Sequence, residues 1–377
     1  MYLPQLNDLG DVRSKRVLVR SDLNAPMVER SGRWVVADDF RIRSALPTFR
    51  WLLDRGAEVV TCSHLGRPKG STDPKYSMAP IQELLSTLVP EVEVMENLRF
   101  NPGEEANSEE FAKELVHGFD FFVSDAFGAA HRKHASIVGP PKYLPSVAGR
   151  VLAEEVEMLA KLLEEPQRPF VSVMGGSKVS DKLGLLASLL AKVDTVLVGG
   201  GMCFTFLAAQ GFPVGESLVE PEMIESCRAM LATEKVILPS DIVGLADSEA
   251  FGRSGGTANP QIFSNGVPDG FKGLDIGPDS VERFSSVIAL AKTILWNGPM
   301  GVFEDPRLNS GTFAIAKAVA TSDSYSVVGG GDSAAAIVEC GLEGSVSHLS
   351  TGGGASLEFL EKGDLPGLKA LRDAWRS

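Results

Sequence analysis

Lys178 and Lys182 stand four residues apart, just after Gly175-Gly176 and an apolar run that ends at Met174. That spacing puts two side chains on one face of a helix. If a helix starts at this point, two ammonium groups and the free amides of its first turn address one anion, and a phosphate suits them. Gly-rich runs follow apolar segments three more times, at Gly199–Gly201, Gly329–Gly331 and Gly352–Gly354. Any one run reads as well as a tight strand-to-helix turn. Together in one half of the chain they point to a nucleotide-phosphate surface that includes Gly200, Gly201, Gly330 and Gly331. The absence of GxxxxGK[ST] excludes an ordinary P-loop, and no convincing GxGxxG supports a dinucleotide site. Asp332 follows the third glycine run. Its carboxylate can hold magnesium directly or through water, or cap a helix beginning near Ser333; the whole constellation favours the metal. Phosphoryl transfer needs positive charge around the equatorial oxygens and an in-line donor and acceptor, but no covalent enzyme nucleophile. Lys182 is the better placed lysine for the group in transfer.

The first half carries a different set: SDLNAP, DDFRIR, SHLGRP, ENLRF and DAFGAAHRKHAS. Asp22 and Asn24 follow an expected strand and suit a hydroxyl or a polar substrate, or a turn. Arg41 precedes a helical pattern. His64 and Arg67 flank Gly66, and Arg99 and Arg132 follow further apolar runs, with His131 beside Arg132. Singly, the arginines read as surface ion pairs and the histidines as structural. Jointly they read as a small cradle for an acidic metabolite, because arginine forks match carboxylate and phosphate.

The elements that must position these residues alternate. Strands are expected at Arg16–Arg20, Ala57–Cys62, Glu91–Met95 and Phe121–Val123, and helices at Ile42–Arg55, Ala79–Leu88 and Glu109–Val116. A long helical pattern, Val151–Glu165, ends near Pro166 and Pro169 and marks a boundary. Beyond it come strands at Val171–Met174, Thr195–Val198, Val236–Leu238, Thr293–Trp296 and Tyr325–Val328. Helices are expected from the lysine motif through Leu190 and after Gly201 through about Ala209. The segment Phe251–Pro278 reads as a short hairpin or a long surface loop. Such alternation means mainly parallel sheets covered by helices, which bind ligands at their carboxyl edges.

A chain of 377 residues is long enough for two domains. The 36 Lys/Arg against 49 Asp/Glu give −13, which opposes general nucleic-acid binding. Residues 1–170 hold 21 basic and 25 acidic groups, residues 171–377 hold 15 and 24, so a local basic site is expected in the first part. No apolar stretch is long enough to span a membrane, and the amino end lacks a secretory pattern. Cys62, Cys203, Cys227 and Cys340 show no metal or disulfide spacing and read as reduced thiols in a cytosol.

In order along the chain, SDLNAP, SHLGRP, ENLRF, DAFGAAHR, GGSKVSDK, WNGPMGVFE, GGGDS and STGGGAS resemble the motifs of the phosphoglycerate kinase family over nearly its whole length. Departures are slight: Ser177 and Ser333 stand where alanine and threonine are common. The resemblance implies two Rossmann-like three-layer α/β/α domains, each with a mainly parallel sheet, joined by a helix and hinge. It implies a glycerate-binding domain over residues 1–165, with the tail from about 360 to 377 packing back on it, and an Mg-nucleotide domain over residues 170–355. It implies reversible transfer from 1,3-bisphosphoglycerate to ADP, giving 3-phosphoglycerate and ATP, directly and in line in a closed interdomain cleft. On this pattern Asp22, Asn24, Arg41, His64, Arg67, Arg99 and Arg132 hold the acidic substrate. Arg41 and Lys182 meet the migrating group, Lys178 touches nucleotide phosphate, and Asp332 places Mg2+. Asn297 lies by the phosphates and Glu304 takes the sugar hydroxyls. The resemblance favours a cytoplasmic monomer with no membrane or nucleic-acid partner. A nicotinamide-dependent oxidoreductase and a non-catalytic nucleotide-binding module are the competing readings.

Overall fold

The run RVLVRS opens the first sheet as β1 (Arg16–Ser21), buried from its second residue onward. Strands buried on both faces belong to parallel sheets with helices on each side, and the packing follows that rule. Val17, Val19, Val59 and Val123 share one core with Ile42, Phe49, Ile81 and Leu85. Leu18, Cys62 and Phe122, on the opposite face, share another with Leu98 and Leu115. The computed structural model describes residues 2–253 and 255–376. Its chain divides into two units, Met1–Glu157 with Asp364–Ser377, and Met158–Gly363.

In the first unit, β1 is followed by β2 (Met27–Arg30), β3 (Arg33–Val36), α1 (Phe40–Leu53), β4 (Glu58–Cys62) and α2 (Ala79–Leu88). Then come β5 (Glu93–Val94), α3 (Pro102–Glu105), α4 (Glu109–Val116), β6 (Phe121–Asp125), α5 (Ala135–Val138), β7 (Ser146–Ala148) and α6 (Arg150–Leu163), in which the division falls. The main sheet runs β5-β4-β1-β6-β7, with every neighbouring pair parallel. Because β4 and β6 flank β1, the strand order reverses between β1 and β6. That is where an open parallel sheet leaves a crevice at its carboxyl edge. The small hairpin β2–β3 was not expected from the sequence. Its two-residue loop, Ser31 at φ +51 and Gly32 at φ +76, has the two left-handed residues that close a tight hairpin.

The second unit holds β8 (Phe170–Met174), α7 (Leu183–Leu190), β9 (Thr195–Val198), α8 (Cys203–Ala209), α9 (Ile224–Leu231), β10 (Val236–Ile237), β11 (Asp241–Ala246), β12 (Gln261–Ser264) and β13 (Phe271–Ile276). It continues through α10 (Pro278–Leu290), β14 (Thr293–Asn297), α11 (Ser310–Thr321), β15 (Tyr325–Gly329), α12 (Gly331–Glu339), β16 (His348–Leu349) and α13 (Gly354–Lys362). The main sheet, β10-β9-β8-β14-β15-β16, is parallel and reverses between β8 and β14. One face packs Val171, Val173, Ile294 and Trp296 against Phe284, Ile288, Ile315 and Val319 of α10 and α11. α14 (Pro366–Arg376) belongs to the first unit, where the Gly367 amide donates to Ala130 O at 2.9 Å.

Two expectations change. The lysine motif does not run as one helix through Leu190: a 3-10 turn covers Ser180–Lys182, and α7 begins at Leu183. The chain enters as a loop because buried Val179 anchors it and the Glu220 carboxylate takes the Val179 and Ser180 amides. The segment Phe251–Pro278 is neither a lone hairpin nor a plain loop. Both its strands, β12 and β13, flank β11 antiparallel; Ser254 within the segment lies outside the described residues.

Candidate active site

In the first unit the site grows from the carboxyl edge of the sheet. His64 lies two residues beyond β4 and is buried. Arg20, the penultimate residue of β1, is also buried, and its Nη2 is 3.1 Å from His64 Nδ1. A guanidinium only donates, so the ring must accept at this shorter of its two arginine contacts, and an accepting ring nitrogen means a neutral ring. Arg20 is itself held: Nε donates to Ser136 Oγ at 3.0 Å and Nη1 to Ser21 O at 2.5 Å. Ser136 donates through Oγ and through N to the buried carboxylate of Glu104, at 2.6 and 2.9 Å. Burial, then the charges of Arg20, Arg99, Arg132 and Arg41, hold the His64 pKa well below the ordinary histidine value. A neutral His64 thus sits among four arginines, with Arg132 Nη1 3.5 Å from its Nε2. Such a concentration of positive charge awaits an anion.

The surrounding residues set the shape of this cradle. Arg41, in the first turn of α1, donates from Nη1 to Asp22 Oδ2 at 2.7 Å. Asn24 spends its side-chain oxygen on the Gly66 amide at 2.9 Å, so it fixes the His64–Arg67 loop. Arg99 Nη1 donates to Gly66 O at 2.6 Å. Its Nε stands 3.1 Å from Glu105 Oε1 as an ion pair without hydrogen-bond alignment. A side chain at Gly66, at φ +58, would be strained and would drive the Tyr76 ring aside, since a Cβ would fall 2.3 Å from it. Arg67 is exposed, and its charge acts on Arg132. The structure therefore gathers all seven expected residues at one edge.

In the second unit the last residues of four strands stand in register. Met174 aligns with Val198 and with Asn297, and Asn297 with Gly329. The glycine runs at Gly175–Gly176, Gly199–Gly201 and Gly329–Gly331 leave from this row, and the first two pack on each other; Gly352–Gly354 instead follows β16 and leads into α13. Gly200, at φ +67, has room only for hydrogen, since a Cβ would meet Gly176 N at 2.6 Å and Pro299 O at 2.8 Å. A Cβ on Gly201 would lie 2.9 Å from Ser177 O. Asn297 Nδ2 donates to Gly329 O at 2.8 Å, and Ser333 Oγ accepts from Gly298 N at 3.0 Å and donates to Gly329 O at 2.6 Å. Both side chains tie the loops after β14 and β15 together.

Lys182 precedes α7 directly. Its Nζ donates to Gly175 O at 2.7 Å and Asn297 O at 3.0 Å. An ammonium has three donors, so one remains for an anion. Asp332 lies in the first turn of α12, exposed. The helix is capped by Gly330 at φ +93, so the capping role expected as an alternative for Asp332 falls away, and its carboxylate is not spent on the helix. Lys178 is exposed in the loop before the 3-10 turn, not on a shared helix face with Lys182. Glu304 is exposed in the loop between β14 and α11.

Burial pushes the Lys182 pKa down to about 8, against the upward pull of Asp332 and Asp181. The free enzyme therefore loses this charge as pH rises through about 8, and kcat/KM for nucleotide should fall on the same limb. Stability should move the other way. Between about 8 and the ordinary 10.5 the unfolded chain binds more protons than the folded one, so folding gains as pH rises. A pH profile beside a denaturation series checks both limbs; parallel limbs would contradict this reading of Lys182.

Sequence reasoning missed Arg20, Glu104, Ser136 and Glu220. Arg20 left one signal, a charge inside an otherwise apolar strand. Glu104 and Glu220 left none, since each meets its partners far along the chain.

An arginine cradle at one strand-order reversal, and a glycine-lined edge with a buried lysine and an open carboxylate at another, define an α/β phosphotransferase. A family model described as phosphoglycerate kinase matches residues 6–95 and 89–363, and the chain belongs to that family. It is 49% identical to the phosphoglycerate kinase of Salinispora tropica, over 98% of this chain and 100% of that one. Identity to the Rubrobacter xylanophilus enzyme is 48%, over 96% of each. Among solved structures, the Coxiella burnetii phosphoglycerate kinase superposes with a TM-score of 0.90 at 38% identity, covering 99% of both chains. The Pyrococcus horikoshii enzyme gives 0.83 at 29% identity, covering 99% of this chain and 100% of that one.

Proposed function

We propose that the chain moves the acyl phosphate of 1,3-bisphosphoglycerate to ADP directly and in line, reversibly, when the two units close on their ligands. The acyl C–O–P linkage breaks at its O–P bond, a new P–O bond forms to the terminal oxygen of ADP, and 3-phosphoglycerate leaves as a carboxylate. The acceptor is anionic in either direction, so no general base is required. Two observations support this reading: the His64–arginine cradle in the first unit and the Lys182–Asp332 edge in the second.

The first-unit residues Asp22, Asn24, Arg41, His64, Arg67, Arg99 and Arg132 bind or shape the pocket for the acid. Arg41 reaches the migrating group from that side and Lys182 from the other, and their charges offset what develops on the equatorial oxygens. Lys178 meets nucleotide phosphate. Glu304 takes the sugar hydroxyls. Gly200, Gly201, Gly330 and Gly331 let the backbone approach the nucleotide, while Asn297 and Ser333 fix the loops beneath it. Magnesium fits Asp332, whose carboxylate is exposed in the first turn of α12 and makes no cap to it. Magnesium is commonly held by one or two carboxylates with substrate phosphates and water. When bound, it supplies charge neutralisation on the phosphates.

An assay coupling ATP formation to both substrates and magnesium tests the proposal. Magnesium-dependent ATP formation is expected; a chain that binds Mg-ADP and transfers nothing would overturn it. Asp332→Asn should raise the magnesium needed for half-maximal rate about tenfold or more, as loss of a charged ligand does. An unchanged magnesium titration would remove Asp332 from this role.

A further inference from the structure

Glu220 lies in the loop after α8, far in sequence from the lysine motif, and is 7% exposed. One of its oxygens, Oε2, accepts from the Val179 amide at 2.6 Å and the Ser180 amide at 3.2 Å. The other, Oε1, accepts from Ser180 Oγ at 2.5 Å. Three donors on one carboxylate thus come from the two residues between Lys178 and Asp181. Burial pushes the Glu220 carboxyl up, but the Ser180 hydroxyl, both amides and Lys178 outweigh it and hold the group ionised. The Glu220 amide donates to Thr205 Oγ1 at 3.1 Å, and Thr205 is buried in α8, directly after Gly200 and Gly201. One residue therefore ties the lysine loop to the helix that carries the neighbouring glycine run.

We infer that Glu220 is a positioning residue for nucleotide binding: its carboxylate holds the Lys178–Lys182 loop in the shape that presents both lysines to the phosphates. This rests on the nucleotide reading of the second unit and deepens it. The geometry argues for shape over charge. A carboxylate beside Lys178 repels a polyphosphate, so if its charge were what mattered, its removal would tighten binding. As an anchor, its removal strands the buried Val179 amide and releases the Ser180 amide and hydroxyl to solvent, and the loop must rearrange to satisfy the first. The lysines then no longer start from a fixed place, and the ordering is left to the ligand.

The test is steady-state kinetics of Glu220→Met and Ser180→Ala, with melting temperatures recorded. Methionine keeps the length but accepts from none of the three donors, so KM for Mg-ATP should rise about tenfold, with KM for 3-phosphoglycerate within about twofold. Ser180→Ala removes one donor only and folds even if the other variant does not; its KM for Mg-ATP should rise about threefold, as for one lost hydrogen bond. Equal shifts in both KM values, unchanged KM values, or tighter Mg-ATP would each overturn the inference. A wild-type chain without transfer activity would instead overturn the functional proposal, so the two failures are told apart.

Discussion

Replacing Arg41 with alanine should lower kcat about a hundredfold or more while leaving Mg-nucleotide binding within about twofold. Arg41 sits in the first turn of α1, half-exposed, and its one hydrogen-bonded partner among the described residues is Asp22 at 2.7 Å. One end of its fork is held, and the rest is free to turn to an anion. It is also one of four arginines whose charge falls on neutral His64. The other three remain in the variant, so the acidic substrate still has a basic cradle. What disappears is the charge that would strengthen its grip as the phosphoryl group loosens from both oxygens, and loss of such an interaction appears in kcat. Single-turnover transfer beside calorimetric titration of Mg-ADP separates these effects. Near-normal transfer would remove Arg41 from the reacting centre.

Lys182→Met should cost more, about a thousandfold in kcat, because on the proposed transfer it removes the charge that meets the same group from the nucleotide side. The ammonium is held at 2.7 and 3.0 Å by Gly175 O and Asn297 O, which leaves its third donor for an anion. Methionine fills the space but leaves Gly175 O without its donor, while Asn297 O keeps the Gly175 amide at 3.0 Å, so a stability loss of roughly 1–3 kcal/mol accompanies the rate loss. Denaturant titration measures that cost separately. A folded variant that keeps even a tenth of the wild-type rate would place the critical charge elsewhere.

Much of this site is local, and local features are what a sequence displays. The runs at Thr195–Val198, Ala79–Leu88 and Glu109–Val116 fold over the residues that their patterns predict. In the last, Ser108 Oγ also accepts from the Phe111 amide and fixes the start. Asp22, His64, Arg99 and Arg132 all follow strands or short edge segments, so one topological rule brings them together. Non-local chemistry was hidden. Glu220 and Val179 are 41 positions apart and Glu104 and Ser136 are 32 apart, and neither pair carries a spacing signal. The break in the lysine helix follows from that hidden carboxylate, since nothing in GGSKVSDK itself forbids a helix from Ser177. β12 and β13 pair through β11 rather than with each other, so a reading confined to Phe251–Pro278 could not find their partner.

The most direct test of transfer without an enzyme-bound intermediate is the configuration at phosphorus, followed with ATP made chiral at its γ-phosphate by oxygen isotopes and sulfur. One in-line displacement between the two substrates predicts inverted configuration in the 1,3-bisphosphoglycerate formed from 3-phosphoglycerate. Retention would mean an even number of displacements, and hence a phosphorylated side chain on this protein, which direct transfer between the substrates excludes.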